Sequence, residues 1–291
     1  MRLGLRRPAL MADDPLTIGE IVRRTAHYLA KAGSPSPRLD ADLVIAHTLG
    51  MTRLALYTDF DRPLSADEIA GARALVARRG GREPMAYILG HRAFRRIELE
   101  ISPAVLVPRP ETEVLVDWVL ELAPAGASVL DWGTGSGAIA LALADERPDL
   151  AVTGIDTADG ALEVARTNGA RLGLDVEWCL SDGFAALEGR QFDVVAANPP
   201  YLSEAGFAAS PRELTFEPYA ALVAGPRGDE VIGRIATEVG RHLHPGGAVV
   251  CEIGATQADA VVSRFVAAGL RDPQVRADLA GLARVVIGRR A

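Results

Sequence analysis

The stretch Val129–Ala138, which reads VLDWGTGSGA, decides the fold. Its apolar start predicts a strand buried on both faces, and the alanine-rich residues that follow its glycines predict a helix. Glycine has no Cβ, so the backbone between strand and helix can turn sharply and approach a ligand closely. This order is typical of doubly wound α/β domains, which bind ligands at the carboxyl edge of a parallel sheet.

Alternating strands and helices continue along the chain from this stretch. Apolar, β-branched runs predict seven strands at Ser128–Trp132, Ala151–Asp156, Val176–Leu180, Phe192–Ala197, Ala248–Ile253, Pro273–Arg276 and Ala283–Ile287. The predicted helices between them include Ala138–Ala144, Ala158–Leu172 and Glu230–Leu243. We therefore expect an α/β domain of the Rossmann-like type, with a doubly wound, mostly parallel seven-stranded sheet, at residues 111–291.

Three further segments precede this domain. We predict a flexible tail at residues 1–14, a small all-helical domain at residues 15–91 and a β-hairpin linker at residues 92–110. The strict alternation of polar and apolar residues over 96–101 is typical of a half-buried strand, and residues 105–107 are its expected partner in the hairpin.

Two patterns carry the prediction of the helical domain. Ser65 and Glu68 fit a capping box, in which two side chains satisfy free backbone N–H groups at a helix start. A second helix is predicted over Arg38–Leu49, with Leu39 and Leu43 on its apolar face. Helices of this length are unstable alone, so they must pack as a small bundle.

Composition limits the classes of protein that fit. The 291 residues are 49% hydrophobic and 24% charged, which is ordinary for a globular enzyme, and they carry a net charge of −7. Residues 1–100 hold 16 Lys and Arg against 12 Asp and Glu, a net charge of +4, so the remainder carries −11. An acidic domain is a poor match for a phosphate backbone, and we expect no nucleic-acid partner.

Several sequence signals are missing. No apolar stretch is long enough to cross a bilayer, and the opening residues lack the apolar core of a signal peptide. Two cysteines exclude a disulfide or cysteine–metal framework, and no histidines have metal-binding spacing. We expect a cytoplasmic protein, without a membrane partner or a metal site.

The glycine loop has more than one interpretation. As Gly133-x-Gly135-x-x-Ala138 it passes a permissive dinucleotide fingerprint, and as a bare turn it would serve only strand–helix packing. As Asp131-x-Gly133-x-Gly135-x-Gly137 it resembles the first motif of class I methyltransferases that use S-adenosylmethionine. That cofactor has no pyrophosphate, and we expect the Asp131 carboxylate to face its ammonium group.

Two more acidic residues follow strands at the same edge of the sheet. Asp156 ends the second strand of the α/β domain, 19 residues after Gly137, where a carboxylate can accept hydrogen bonds from ribose hydroxyls. Asp182 follows the third strand. Both side chains are candidates for binding the cofactor.

The turn Asn198–Tyr201, which reads NPPY, decides the chemistry. A buried strand delivers Asn198 to the sheet edge, and two prolines then remove both N–H donors. Asn198 Oδ1 and the Pro199 carbonyl can accept both hydrogens of a planar –NH₂ group, and Tyr201 can stack on it. The alternative is a Pro-Pro stop with Asn as a turn former.

Such a clamp suits a weak nucleophile. The lone pair of an amide nitrogen is delocalised into its carbonyl. Holding both N–H bonds aims that lone pair at a methyl sulfonium and stabilises the positive charge that grows on nitrogen. The nitrogen becomes acidic only once it is methylated, so no strong base is needed before attack.

The NPPY turn and the glycine loop together are shared by methyltransferases that act on glutamine amides and on adenine N6. Further segments resemble the bacterial release-factor glutamine methyltransferase family in particular. They are Pro37–Ala41, Glu83–Gly90, Val107–Glu113, Phe216–Pro218, Pro245–Gly247 and Glu252–Gly254.

The resemblance implies methylation of the side-chain nitrogen N5 of the glutamine in the Gly-Gly-Gln (GGQ) motif of class-1 peptide chain release factors. S-adenosylmethionine would be the methyl donor and S-adenosylhomocysteine the product. The cofactor would be held by Asp131, Gly133, Thr134, Gly135, Ser136, Gly137, Asp156, Asp182, Gly183 and Asn198. The catalytic residues would be Asn198, Pro199 and Tyr201, and together with Pro200 they would bind the glutamine. The helical domain would dock the release factor, and we expect the enzyme to be a monomer.

The chain departs from the family at one position. A bulky side chain often follows the acidic residue of the third strand and walls the adenine, but here Gly183 stands there, and Phe184 or a loop would have to replace it. A second open point concerns Arg109, Glu111 and Glu113, which would either orient substrate or pin the hairpin; we favour pinning, because their spacing demands no chemistry.

Three other functions fit parts of the sequence. An adenine-N6 methyltransferase needs the same –NH₂ clamp, but the acidic charge of the α/β domain argues against a nucleic-acid substrate. A glutamine methyltransferase acting on a ribosomal protein is the second. The third is a non-catalytic module that binds the cofactor without turnover, against which the intact NPPY turn argues.

Overall fold

The computed structural model describes residues 16–291, which form two compact units, residues 16–89 and 90–291. The predicted tail at residues 1–14 lies outside the described residues. The first unit contains five helices, α1 (Ile18–Lys31), α2 (Pro37–Leu49), α3 (Arg53–Thr58), α4 (Ala66–Gly80) and α5 (Met85–Leu89). The predicted capping box is confirmed at the start of α4, where the Ser65 hydroxyl accepts the Glu68 N–H and Glu68 accepts the Ser65 N–H.

Helix α2 buries two carboxylates, whereas the apolar pattern predicts that it buries Leu39. Leu39 is 42% exposed, so its assignment to the buried face is wrong. Asp40 and Asp42 are buried instead, because α2 lies between α1, α3 and α4 and is covered on several sides. The Asp40 carboxylate accepts from Arg79 Nε at 2.6 Å and from the Ser34 hydroxyl at 2.6 Å, which compensates its loss of water.

The second unit begins with a short hairpin and continues as an α/β domain. Its strands are β1 (His91–Phe94), β2 (Ile97–Glu100), β3 (Ser128–Trp132), β4 (Ala151–Asp156), β5 (Glu177–Leu180), β6 (Phe192–Ala197), β7 (Leu202–Ser203), β8 (Val223–Gly225), β9 (Leu243–Glu252), β10 (Arg271–Ala277) and β11 (Ala283–Arg289). Its helices are α6 (Glu113–Leu122), α7 (Ala138–Glu146), α8 (Asp159–Leu172), α9 (Glu204–Ala208), α10 (Tyr219–Leu222), α11 (Glu230–Val239) and α12 (Ala258–Ala267). Within residues 16–291, no helix is both long enough and apolar enough to cross a membrane.

Seven of these strands form one sheet in the order β10-β11-β9-β6-β3-β4-β5. Strands β5, β4, β3, β6 and β9 are parallel, whereas β11 is antiparallel to β9 and β10 is antiparallel to β11. The predicted fold class, a doubly wound and mostly parallel seven-stranded sheet, is confirmed. The carboxyl ends of the parallel strands share one edge, which collects Asp156 and the residues that follow β3, β5 and β6.

The largest difference in element boundaries lies between α11 and β9. Strand β9 begins at Leu243, five residues before the predicted start, and α11 ends at Val239 instead of Leu243. The Phe192 N–H donates to the His242 carbonyl, and Phe192 pairs with Leu243 in register. Pairing with β6 therefore places Leu243, the last residue of the predicted helix, in β9.

The hairpin pairs differently from the prediction. Strand β2 pairs with the preceding residues 91–94, so the assignment of residues 105–107 as its partner is wrong. The turn contains Arg95 at φ 49°, without the glycine or asparagine that usually signals it. The Arg95 guanidinium bonds Asp117 at 2.7 Å and Glu146 at 2.9 Å, and these contacts hold the left-handed residue in place.

The hairpin is fastened to the α/β domain by Asn168 of α8. The fully buried Asn168 accepts the Glu100 N–H at 2.7 Å and donates to the Glu100 carbonyl at 3.0 Å. Its amide also donates to the Ser136 carbonyl in the glycine loop at 3.0 Å. One side chain thus joins β2 to the loop that decides the fold.

Candidate active site

A cavity of about 270 Å³ opens at the carboxyl edge of the parallel strands. Its wall is formed by the glycine loop, the ends of β4 and β5, the NPPY turn and several apolar residues from other segments. The predicted site residues at this wall are Gly133, Gly135, Asp156, Asp182, Gly183, Asn198 and Pro200. Residues far apart in the sequence are therefore gathered around one space.

The glycine loop presents bare backbone to the cavity. Gly133 has φ 74° and Gly135 has φ 55°, and a Cβ at either residue would meet no atom within 4 Å. The Gly133 and Thr134 N–H groups donate to the Ile155 carbonyl of β4 at 3.0 and 2.8 Å. Side chains at the two glycines would strain the turn and add bulk beside the ligand space.

Asp131 supports the loop from behind the cavity wall. It is 0% exposed, and its Oδ2 accepts from the Thr134 hydroxyl at 2.6 Å and from the Ala140 N–H at 3.1 Å. Burial raises the pKa of Asp131 to about 7. Both bonds are made by Oδ2, against the first turn of α7. Among the described residues, its Oδ1 has no hydrogen-bond partner.

The other predicted residues of the loop also lie behind the wall. Thr134 and Ser136 are buried, and Gly137 has φ 82° at the start of α7, where a Cβ would lie 2.9 Å from Leu141. These residues shape the loop and are not part of the cavity lining.

Asp156 joins the end of β4 to the glycine loop. Its Oδ2 accepts the Gly135 N–H at 2.9 Å, and its Oδ1 accepts the Ala158 N–H at 2.9 Å. A carboxylate can accept about four hydrogen bonds, so both oxygens keep capacity for the hydroxyls of a ligand. The side chain therefore fixes the loop while lining the cavity.

Arg234 of α11 takes the place beside Asp182 and Gly183. Its Nη1 bonds Asp182 Oδ1 at 2.6 Å, and its Nη2 donates to the Asp182 carbonyl at 2.9 Å. Phe184, the suggested replacement for the missing bulky side chain, is not at the wall; it is buried and stacks on His242 with ring centroids 4.6 Å apart. A guanidinium stands at the wall of the cavity near Gly183 instead of an aromatic ring.

The side chain of Asn198 is bonded to a buried threonine. Its Nδ2 donates to the Thr112 hydroxyl at 3.1 Å, and Thr112 is buried. No donor within residues 16–291 is bonded to Asn198 Oδ1, and Asn198 lines the cavity. The amide oxygen is therefore available to accept from a ligand.

The rest of the NPPY turn divides between the cavity and the interior. Pro200 lines the cavity, whereas Pro199 is buried and Tyr201 packs partly against the core. The Tyr201 carbonyl accepts from Gln257 Nε2 at 3.1 Å, which fixes the end of the turn. Burial and the nearby Glu252 raise the pKa of Tyr201 to about 12, so its ring carries a neutral hydroxyl at neutral pH.

The segment before α6 is held by a buried glutamate. Glu217 accepts the Val107 N–H at 3.0 Å and forms an ion pair with Arg109. This contact joins two of the segments that carry the family resemblance, Val107–Glu113 and Phe216–Pro218. This contact agrees with the structural role that we expect for Arg109.

Sequence patterns miss several residues of the site. Apolar wall residues come from the segment before α6 and from α10 and α11; they are Ala104, Val105, Leu106, Ala220, Ala221 and Val231. Arg234 lies 52 residues from its partner Asp182, and no local motif marks it. By contrast, the segments that carry the family resemblance include Thr112 and Glu252, so the sequence does mark these two residues.

Together the strand order, the glycine loop and the NPPY turn at the sheet edge define a class I methyltransferase. The chain matches a family model described as the PrmC N-terminal domain over residues 20–90 and one described as the methyltransferase small domain over residues 110–212. It is 43% identical to a release factor glutamine methyltransferase of Koribacter versatilis, over 94% of this chain and 99% of that protein. The chain belongs to the release factor glutamine methyltransferase family.

Other relatives agree with this membership. A release factor glutamine methyltransferase of Burkholderia pseudomallei is 42% identical, over 95% of this chain and 97% of that protein. Among solved structures, a 16S rRNA N2 G1207 methyltransferase of T. thermophilus, in complex with AdoMet and guanosine, matches with a TM-score of 0.51. That protein is 18% identical over 69% of this chain and 50% of its own length, which shows a shared fold alone.

Proposed function

We propose that this enzyme transfers a methyl group from S-adenosylmethionine to N5 of the glutamine in the GGQ motif of class-1 peptide chain release factors. The names of its relatives support a release factor as the substrate and a glutamine as the target. S-adenosylhomocysteine is the second product.

The orientation of the Asn198 amide carries this proposal. Because Nδ2 is bonded to Thr112, Oδ1 remains as the acceptor at the cavity. Asn198 Oδ1 and the Pro199 carbonyl accept the two hydrogens of the glutamine –NH₂, and Tyr201 frames the amide plane. The clamp turns the nitrogen lone pair toward the methyl group and stabilises the charge that develops on nitrogen.

The residues around the cavity fit S-adenosylmethionine. The bare backbone at Gly133 and Gly135 leaves room for a ligand, Asp156 offers acceptors to ribose hydroxyls, and the unpartnered Oδ1 of Asp131 can accept an N–H. When bound, the cofactor supplies a methyl group on a positively charged sulfur. Transfer of that group to the glutamine nitrogen would leave the electron pair of the broken carbon–sulfur bond on the sulfur. The methylated nitrogen then loses one proton.

We propose that the two units have separate roles. The α/β domain carries the chemistry, and the helical domain recognises the release factor. The net charge of +4 over residues 1–100 against −11 over the remainder fits a protein substrate better than nucleic acid. We further propose that the enzyme acts in the cytoplasm as a monomer.

A substrate panel tests the proposal. Purified enzyme is incubated with methyl-labelled S-adenosylmethionine and a class-1 release factor, ribosomal proteins, DNA or RNA. We expect label in the release factor, and none when its GGQ glutamine is replaced by alanine. Label in ribosomal protein or nucleic acid alone, or equal labelling of the replaced release factor, would overturn the assignment.

A further inference from the structure

We propose that Gln257 is a positioning residue whose side-chain amide holds the NPPY turn and both ends of the following segment, residues 202–227, in place. The inference rests on the proposed function, because it concerns the turn that clamps the substrate amide. Gln257 lies outside the cavity lining, so it acts through the residues that it bonds.

The amide of Gln257 makes three hydrogen bonds, all to backbone groups. Its Nε2 donates to the Tyr201 carbonyl at 3.1 Å and to the Gly228 carbonyl at 2.9 Å. Its Oε1 accepts the Gly254 N–H at 2.8 Å. A carbonyl only accepts and a backbone N–H only donates, so the reversed amide would lose all three bonds. The partners therefore fix the orientation of the Gln257 amide.

The two carbonyls lie at the two ends of one excursion of the chain. Residues 202–227 run from the NPPY turn to the start of α11, and the short strands β7 and β8 within them pair with each other. The excursion brings Pro218, Ala220 and Ala221 to the cavity wall. Tyr201 precedes it and Gly228 follows it, so one amide fixes where it leaves and where it returns.

Two glycines let the backbone pack closely around this amide. A Cβ at Gly228 would lie 2.9 Å from the Tyr201 carbonyl oxygen, and one at Gly254 would lie 2.9 Å from Gln257 Oε1. The Gly254 Cβ would also lie 3.6 Å from Cδ2 of the Tyr201 ring. Because the NPPY turn has only four residues, a shift of its Tyr201 end also moves the Pro199 carbonyl that we propose as a substrate acceptor.

The simplest alternative is that Gln257 only supports the start of α12. It directly precedes this helix, and the Gly254 N–H needs nothing more than an acceptor. Glutamate keeps an acceptor, and its charge is favourable at a helix start. It has no donor for the Tyr201 and Gly228 carbonyls when it is ionised. The variant Gln257→Glu, assayed at about pH 8, therefore separates the two roles.

The first readout is the rate of methyl transfer to a release factor at saturating substrates. We expect Gln257→Glu and Gln257→Met to lower this rate roughly 10- to 100-fold, because a small displacement of a positioning group costs about that much. Gln191→Met is the matched control. Gln191 is also partly exposed, and its Nε2 donates to the Arg241 carbonyl at 3.3 Å before β6, at the opposite edge of the sheet. Its rate should equal that of the wild type.

The second readout needs no substrate. Hydrogen–deuterium exchange, followed by mass spectrometry, compares peptides of the folded proteins. In Gln257→Glu we expect faster exchange in peptides that cover residues 201–206 and 225–230, the two ends of the excursion. Peptides that cover β3 and β4 should exchange as in the wild type, because neither strand bonds Gln257.

The outcomes are distinguishable. A wild-type transfer rate in Gln257→Glu would reduce Gln257 to a support for α12 and refute the positioning role. Unchanged exchange at both ends of the excursion would refute it whatever the substrate is, and faster exchange across β3 and β4 as well would show a general structural role instead. If exchange changes only at the two ends but the wild type methylates no release factor, the proposed substrate fails and the positioning role stands.

Discussion

The guanidinium of Arg234 occupies the space that a side chain at residue 183 would enter. A Cβ at Gly183 would lie 2.8 Å from Arg234 Nη2, and Gly183 has φ 60°. A glycine at this position therefore permits the contact between Arg234 and Asp182 at the cavity wall. The missing side chain at residue 183 and the arginine at the wall are therefore linked, because a side chain there would enter the space that the guanidinium occupies.

We expect Gly183→Ala to weaken the binding of S-adenosylmethionine several-fold, because the methyl group displaces Arg234 from the wall. Isothermal titration calorimetry measures the effect. Gly189→Ala is the control, since Gly189 has φ 76° but a Cβ there would meet no atom within 4 Å. It should show comparable backbone strain, about 1 kcal/mol, with unchanged cofactor affinity. Equal affinities in both variants would contradict the role of the Arg234 contact.

Glu252 makes stability depend on pH. Burial, the largest cause, raises the pKa of Glu252 to about 7, although the Thr112 hydroxyl, Arg284 and Arg109 lower it. The folded state therefore holds a proton on Glu252 that the unfolded state loses at lower pH. The stabilising contribution is complete below the unfolded pKa, near 4.5, and is lost as the pH rises through about 7.

The variant Glu252→Gln removes this titration. Relative to the wild type, its free energy of unfolding should improve by about 3 kcal/mol between pH 5 and pH 8, from the difference between the two pKa values. Urea denaturation at several pH values measures it. If the free energy of unfolding changes with pH in the same way for both proteins, Glu252 has the same pKa in the folded and the unfolded state.

A variant of the ion pair between Glu217 and Arg109 distinguishes a structural role of Arg109 from a role in orienting the substrate. Glu217→Gln weakens the contact of a carboxylate that is 1% exposed, and we expect a loss of about 2 kcal/mol in stability with little change in the turnover of folded enzyme. The matched control is Asp159→Asn, which breaks an exposed pair with Arg166 at 3.8 Å and should change stability far less. A stable Glu217→Gln protein with a strongly raised KM for release factor would assign Arg109 to substrate orientation.

Features carried by local sequence are predictable here. Buried strands, the glycine loop and Asn198 at the end of β6 follow from runs of ten residues or fewer, because their periodicity and backbone requirements are local. The same reasoning places Asp156 at the sheet edge, where the structure finds it.

Features that depend on distant packing are not predictable in this way. Leu39 is exposed because α1, α3 and α4 cover the other faces of α2, and the partner of β2 depends on ion pairs that hold Arg95 in a left-handed conformation. Arg234 reaches the cavity because α11 packs against β8 and β9 and its guanidinium bonds the distant Asp182. Asp131 illustrates a third case, in which the position is predictable but the bonds of Oδ2 to Thr134 and to the first turn of α7 are not.

Mass spectrometry of the release-factor peptide that contains the GGQ motif tests the central claim most directly. After incubation with S-adenosylmethionine and wild-type enzyme, the GGQ glutamine should carry one methyl group on its side-chain nitrogen. Asn198→Ala should leave that glutamine unmodified while keeping the melting temperature of the wild type. A methyl group on a different residue, or full methylation of the glutamine by Asn198→Ala, would contradict the account.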